Sequence, residues 1–106
     1  MTAMPKPIVI VAHWQTTTED LDTVLALVAE LAPRSKAEPG CLGYEVLQAL
    51  DDEPNHLVLI ERYADRAALD SHLGSTHYQE LVVGGIRPLL TGRQVTALGT
   101  VDLPSS

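Results

Sequence analysis

The 106-residue sequence has little of several residue types that define whole classes of protein. It has one cysteine, Cys41, which excludes an intrachain disulfide framework and any thiolate-rich zinc or iron–sulfur site. No apolar run approaches the roughly 18 residues needed to span a bilayer, and the amino terminus lacks the basic-then-apolar pattern of a signal peptide. We therefore expect a soluble, cytoplasmic protein that is held together by packing.

Positive charge is also scarce. Seven lysine and arginine residues stand against 14 aspartate and glutamate residues, giving a formal net charge of −7. Nucleic-acid binding without sequence preference depends on clustered lysine and arginine, so this composition disfavours it. We expect neither a nucleic-acid nor a membrane partner. The length predicts a single domain, with its core over about residues 8–100 between flexible tails.

The first part of the chain predicts a strand followed by a helix. Residues 8–14 ("IVIVAHW") are β-branched and apolar, as in a strand that is buried on both faces or nearly so. Apolar residues then recur at helical intervals, and Thr16 and Glu19 have the spacing of a capping box. Pro33 should kink this helix or end its regular part, because proline lacks the backbone N–H and clashes one turn back.

The rest of the chain predicts a hairpin, a helical region and a last strand. Residues 41–49 and 56–63 form the hairpin across a polar turn at 51–55. A second helix follows, with Asp65 as its N-cap. A further helical segment, broken by a pair of glycines, leads to a strand over residues 93–101.

The resulting order, β-α-β-β-α-β, is the split βαβ, ferredoxin-like arrangement of the α+β class. It places the helices on one face of an antiparallel sheet and leaves the other face uncovered. A lone monomer would then expose a large apolar patch. Two sheets packed face to face would cover it, so we expect a homodimer.

The four histidines are the first candidates for acid/base chemistry. His72 lies on the inward stripe of the second helix, either as a core histidine bonded to a backbone carbonyl or as a pocket wall. His13, at the end of the first strand, is either a general base or a polar strand-end residue. His77 is expected to cap a turn or contact a dimer partner, and His56 to be solvated.

The spacing of His72 and His77 disfavours a metal site. Positions five apart in a continuous helix diverge by roughly 140°, whereas paired helical ligands favour spacings of three or four. No carboxylate or third histidine stands at a recognisable interval, so we expect no metal.

Three further polar side chains lie on the hairpin strands. Tyr44 and Tyr63 are either core residues with a partnered hydroxyl or members of a shared cavity. Glu61, if buried, needs a partner or a raised pKa.

The pattern resembles the antibiotic-biosynthesis monooxygenase family of dimeric α+β barrels. The resemblance is carried by "EPGCLGYEVLQ" at 38–48 and "LVLIERYADRAALDSHLGSTHYQEL" at 57–81, with the preceding strand and helix, and it covers about residues 8–100. It implies a cavity between sheet and helices. It also implies cofactor-free oxidation of a small phenolic, anthrone-like or quinol compound by molecular oxygen, with His13 or His72 as the base. The substrate-binding residues it implies are Trp14, Tyr44, Tyr63 and His77.

Two other functions belong to the same fold. A non-catalytic, small-ligand-binding or stress-associated dimer would share the cavity but lack turnover. A related branch of the family degrades haem, using an asparagine on the first strand, a tryptophan on the second helix and an axial histidine. The matching positions are His13, His72 and approximately Val82, so that set is absent and no cofactor is expected.

Overall fold

The structure is a computed structural model that describes residues 6–50 and 55–104. Its four strands form one antiparallel sheet with the spatial order β2-β3-β1-β4. The strands are β1 (Ile8–Thr16), β2 (Cys41–Gln48), β3 (His56–Tyr63) and β4 (Leu90–Gly99). The expected α+β, ferredoxin-like fold is confirmed. The predicted amino-terminal tail and the turn at 51–55 lie largely outside the described residues.

Three helices accompany the sheet. They are α1 (Thr18–Lys36), α2 (Arg66–Leu73) and α3 (Tyr78–Ile86), the last wound as a π-helix and joined to β4 by a 3₁₀ turn, Arg87–Leu89. The predicted break at the glycine pair is wrong, because α3 runs through it. A Cβ on Gly85 would lie 3.2 Å from Cδ1 of Leu27 in α1, so close helix packing outweighs the low helix propensity of glycine. Within the described residues, no helix is long and apolar enough to cross a lipid bilayer.

The first helix departs from its prediction at its start, and it does not end at Pro33. Its N-cap is Thr17, whose Oγ1 accepts a hydrogen bond from the Asp20 backbone N–H at 3.1 Å. Thr16 instead donates its hydroxyl to the Leu89 carbonyl at 2.7 Å, which ties β1 to the turn before β4. The helix continues past Pro33 to Lys36, and the Pro33 carbonyl accepts a hydrogen bond from the Ala37 N–H. The kink at Pro33 stays a prediction.

Strand alternation sorts the sheet into two unlike faces. On β1 and β3 the buried residues alternate with less buried ones, so only one face belongs to the core. We expected β1 to be buried on both faces or nearly so. Within this chain its helix-covered face is buried, whereas the residues of its other face are half-buried or exposed. The buried side chains of this covered face are Ile10, Ala12, Trp14, Thr16, Leu57, Leu59, Glu61 and Tyr63.

A close backbone approach brings the α1–β2 turn against α2. A Cβ added to Gly40 would overlap the Cβ of Ala68, and the Gly40 carbonyl accepts a hydrogen bond from the Ala64 N–H at 2.9 Å. The opposing methyl group is attached directly to a helix backbone, so it cannot rotate away. This contact holds Glu38, two residues before Gly40, near His72 of α2.

Gly40→Ala is therefore expected to lower the free energy of unfolding by about 1–3 kcal/mol through overpacking. Ala68→Gly alone should cost roughly 1 kcal/mol of helix propensity. Because it also removes the clashing methyl group, the double variant should lose less than the sum of the single losses. Urea denaturation measures all three, with Gly99→Ala as the control, since nothing lies within 4 Å of a Cβ there. Strict additivity would contradict the close approach.

Candidate active site

A cavity of about 180 Å³ lies between the covered face of the sheet and the helices. Half of its lining residues are aliphatic: Ile10, Ala12, Leu69, Leu73 and Val95. The others are aromatic or polar: Trp14, Glu61, His72, Tyr78 and Arg93. An engineered cavity of about 150 Å³ holds benzene, so this one has room for a single aromatic ring.

His72 occupies the cavity wall from α2. The helix begins at Asp65, whose Oδ1 accepts from the Ala68 N–H at 2.8 Å, which confirms the predicted N-cap. Leu69 and His72 are three residues apart and therefore share the sheet-facing side of the helix. The His72 side chain is 2% exposed, so its imidazole is sequestered from bulk water.

The partners of the His72 ring are carboxylates, not the backbone carbonyl that was one of the two expectations. Nδ1 lies 2.8 Å from Glu38 Oε2, and Nε2 lies 3.5 Å from Glu61 Oε1. If Nδ1–H donates to Glu38, the neutral ring keeps an accepting lone pair on Nε2. A histidine held in this way by a carboxylate is suited to act as a general base.

Glu38 also binds His77. The same Oε2 lies 2.5 Å from His77 Nε2, so one carboxylate oxygen accepts from two imidazoles. Ser75 sets this geometry, because its Oγ donates to the His72 carbonyl at 2.6 Å and accepts from the Tyr78 N–H at 3.3 Å. The expectation that His77 caps a turn is wrong, since Ser75 occupies that role and frees the His77 ring to contact Glu38.

One group of side chains among the described residues could hold a metal ion. It consists of Glu38, His72 and His77, whose ligand atoms lie within 4.8 Å of one another. The sequence did not reveal the set because Glu38 lies 34 residues before His72. Two imidazoles and a carboxylate would suit zinc, but donors at roughly 2.0–2.1 Å from one zinc ion stand about 3.3 Å apart. The contacts of 2.8 and 2.5 Å are hydrogen bonds, so Glu38 would have to move to admit an ion.

Glu61 is the second carboxylate of the site and is 7% exposed. It has both a partner and a raised pKa, which were the alternatives expected for a buried carboxyl. Tyr63 Oη donates to Glu61 Oε1 at 2.6 Å. Burial raises the pKa of Glu61, while the Tyr63 hydrogen bond and nearby His72 oppose that rise. Burial likewise raises the pKa of Tyr63 and of Tyr44, so both phenols stay protonated.

The aromatic residues divide into lining and supporting groups. Trp14 lines the cavity, whereas Tyr44 and Tyr63 do not. Their rings lie 6.3 and 5.0 Å from His72, where they support the polar wall from behind. Tyr78 lines the cavity in their place, edge-on to His72 at 5.2 Å. Tyr78 lies shortly before the glycine pair that was predicted to break the helix, and nothing in the sequence there indicated that it would line a cavity.

His13 lies on the opposite face of the sheet. Its neighbour Trp14 points into the cavity, so alternation along β1 points His13 away from it. His13 Nδ1 is instead 2.9 Å from His56 Nε2. The structure thus does not bring the two candidate bases together. The expectation of a solvated His56 is wrong, because strand pairing half-buries its ring beside His13.

The profile of the antibiotic biosynthesis monooxygenase family matches residues 7–83. The chain belongs to this family. A Mycobacterium tuberculosis protein named "Putative monooxygenase Rv0793" is 35% identical over 75 residues, which are 71% of this chain and 72% of that protein. Bacillus subtilis "Putative monooxygenase YcnE" is 30% identical over 78 residues, which are 74% of this chain and 81% of that protein.

Solved structures agree with this membership. The structure of Rv0793 superposes with a TM-score of 0.84 at 33% identity, covering 93% of this chain and 99% of that one. PA3566 from Pseudomonas aeruginosa gives 0.84 at 25% identity, covering 95% and 100%. The family predicted from the sequence is thus confirmed. The family match ends before β4, so Arg93 lies beyond it.

The raised pKa of Glu61 predicts a pH-dependent stability. Folding favours the protonated carboxyl; this contribution is complete below the unfolded pKa and is lost as the pH rises through the folded pKa. Relative to wild type, Glu61→Gln should therefore gain stability with rising pH, by about 1.4 kcal/mol for every pH unit between the two pKa values. Urea denaturation across this range measures the difference. Glu45→Gln, at an exposed position of β2, is the control, and a pH-independent difference for Glu61→Gln would contradict the assignment.

Proposed function

We propose that this protein is a cofactor-independent monooxygenase that oxidises a small phenolic or quinol compound with molecular oxygen. The observation that supports the proposal most strongly is His72, which is held by a carboxylate and faces an apolar cavity. Family membership supports a monooxygenase activity, while the substrate class rests on the chemistry and size of the cavity.

The proposed reaction depends more on the surroundings of the substrate than on a cofactor or a large set of catalytic groups. Ground-state oxygen is a triplet, so its direct reaction with a singlet organic molecule is spin-forbidden. A phenolate avoids this barrier by donating one electron first. The protein must therefore remove a phenolic proton, keep the anion away from water and admit oxygen. We assign proton removal to Nε2 of His72, with Glu38 stabilising the resulting imidazolium.

The proposed reaction needs no outside reductant. Electron transfer gives an aryloxyl radical and superoxide, which combine at a ring carbon that bears hydrogen to form a peroxide. When the O–O bond breaks, one oxygen atom stays on the ring as a carbonyl. The other leaves as water with the ring hydrogen and the proton held by His72. The phenol thus becomes a quinone as one molecule of oxygen is reduced fully.

The cavity volume favours the smaller candidate substrates. About 180 Å³ suits a one-ring phenol or hydroquinone. An anthrone has three fused rings and would have to project through the cavity opening. We therefore place one-ring compounds first.

We also propose that the active form is a homodimer. The face of the sheet turned away from the helices has no covering layer among the described residues. Leu47 and Leu98 are 46% and 47% exposed on it. The half-buried apolar residues of the same face are Val9, Val11, Val58 and Ile60. Face-to-face packing of two sheets would bury this surface.

Oxygen uptake by the metal-free protein across a panel of hydroquinones tests the proposed activity. His72→Ala should lower the rate by about 100-fold or more, the usual contribution of a positioned base. Glu38→Gln should lower it by about tenfold, because the imidazolium loses its charged partner. His13→Ala, once checked to be a dimer, should keep the wild-type rate, since His13 lies on the face of the sheet that is turned away from the cavity. Loss of uptake in His13→Ala but not in His72→Ala would overturn the assignment, and binding without uptake would favour the non-catalytic alternative.

Val11→Lys tests the dimer. Val11 pairs with Ile60 in the middle of the uncovered face, where a lysine would bury an unpaired charge in the interface. Light scattering after size-exclusion chromatography should give a dimer for wild type and a monomer for the variant. Val83→Lys, at a 36% exposed site on α3, should remain dimeric. A monomeric wild type or a dimeric Val11→Lys protein would count against the proposed interface.

A further inference from the structure

Two polar side chains of the cavity have no partner among the described residues. Nε1 of Trp14 is buried without a hydrogen-bond acceptor. Arg93 is an exposed residue of β4 and forms no ion pair within the part of the chain that the structure describes. Buried indole N–H groups usually find a partner, because leaving one unpaired is costly. A ligand acceptor would satisfy the indole N–H, and an anionic ligand would also give the hydrated guanidinium of Arg93 a charged partner.

The two side chains are neighbours in the sheet. Arg93 is the direct cross-strand partner of Trp14 in the β1–β4 pairing. Directly opposite residues point to the same face, with Cβ atoms about 4.5–5.5 Å apart. Both residues line the cavity. The side chains of Trp14 and Arg93 thus belong to one region of its wall.

The proposed base belongs to a different region of the same wall. Glu61, beside His72, pairs with Ile10 on β1. Ile10 and Trp14 are four residues apart, about 13 Å along an extended strand. Ala12 lies between them and also lines the cavity. The cavity therefore has an acid/base end and a cationic end, which are separated by an apolar stretch.

A positively charged end of the cavity is unusual in a chain with a net charge of −7. Seven lysine and arginine residues stand against 14 acidic ones, and Arg93 is the one of the seven that lines the cavity in the described part of the chain. Arginine is suited to carboxylate recognition, since its planar donors match the two carboxylate oxygens. A phenol whose one hydroxyl faces His72 would offer no acceptor to the guanidinium or the indole N–H, and the second hydroxyl of a hydroquinone would offer no negative charge.

We infer that the cavity binds a small aromatic carboxylate. Arg93 and Nε1 of Trp14 donate hydrogen bonds to its carboxylate, and its ring lies against the apolar wall. A hydroxyl at the far end of the ring then faces His72. The role of that hydroxyl rests on the proposed function, whereas recognition of the carboxylate does not. The inference narrows the substrate class from phenols in general to phenolic acids.

The single tryptophan of the chain makes the test direct, because its side chain gives one indole N–H resonance in a ¹H–¹⁵N spectrum. The probes are 4-hydroxybenzoate and 4-hydroxybenzamide, which match in shape but differ in charge. We expect the benzoate to bind about tenfold more tightly than the amide and to move the indole proton downfield. Arg93→Gln should abolish this preference. Arg34→Gln, exposed in the last turn of α1, removes the same charge and should retain it.

Three results would overturn the inference: equal affinity for the two probes, a preference that survives in Arg93→Gln, or an indole resonance that does not move. Failure of both probes to bind at millimolar concentration would also overturn it. Oxygen uptake, measured in parallel, separates this inference from the proposed function. Benzoate selectivity without uptake would reject the oxygenase and keep the carboxylate site. Oxygen uptake together with equal affinity for the benzoate and the amide would keep the oxygenase and reject the carboxylate site.

Discussion

The Glu38 carboxylate joins three segments that are distant in sequence. It lies in the α1–β2 turn and accepts hydrogen bonds from His72 at the end of α2 and from His77 just before α3. Gly40 permits this arrangement, because any side chain there would push the turn away from α2. Without Glu38, the buried imidazole of His72 would lose its short hydrogen bond and the two helices would lose their shared polar contact. The geometry of the candidate active site therefore depends on one carboxylate oxygen.

Because side chains alternate between the two faces along β1, one face of the sheet can line the cavity while the other is available for an interface. Trp14 points to the cavity while His13, one residue earlier, points to the face that we propose is covered by a second copy. A shift of one residue in strand register would exchange these roles. The same rule explains why only one of the two candidate bases reaches the cavity. The partnered His13 and His56 then belong to the other face, away from the proposed chemistry.

Sequence patterns predicted the parts of this structure that local chemistry determines. The strand-helix order, the Asp65 cap and the inward position of His72 all follow from periodicity and capping. The family was also identified from short segments. Contacts between distant segments could not be read in the same way: Glu38 reaches His72 across 34 residues, and Arg93 meets Trp14 only through strand pairing. Tyr78 was missed because tertiary packing keeps α3 helical through its two glycines.

In the reaction that we propose, the polar groups of the cavity would keep a phenolate reducing. A phenolate that is strongly stabilised by a cation gives up an electron less readily, so a cation beside the reacting oxygen would slow the first step. Arg93 lies in a separate region, where it can hold a carboxylate without touching the phenolic oxygen. At the other end, the proton taken by His72 creates a positive charge, but Glu38 and Glu61 lie on its two sides. Their charge offsets that of the imidazolium, with Glu61 contributing once it is ionised. The proposed site would thus remove the proton without strongly stabilising the anion that is to react with oxygen.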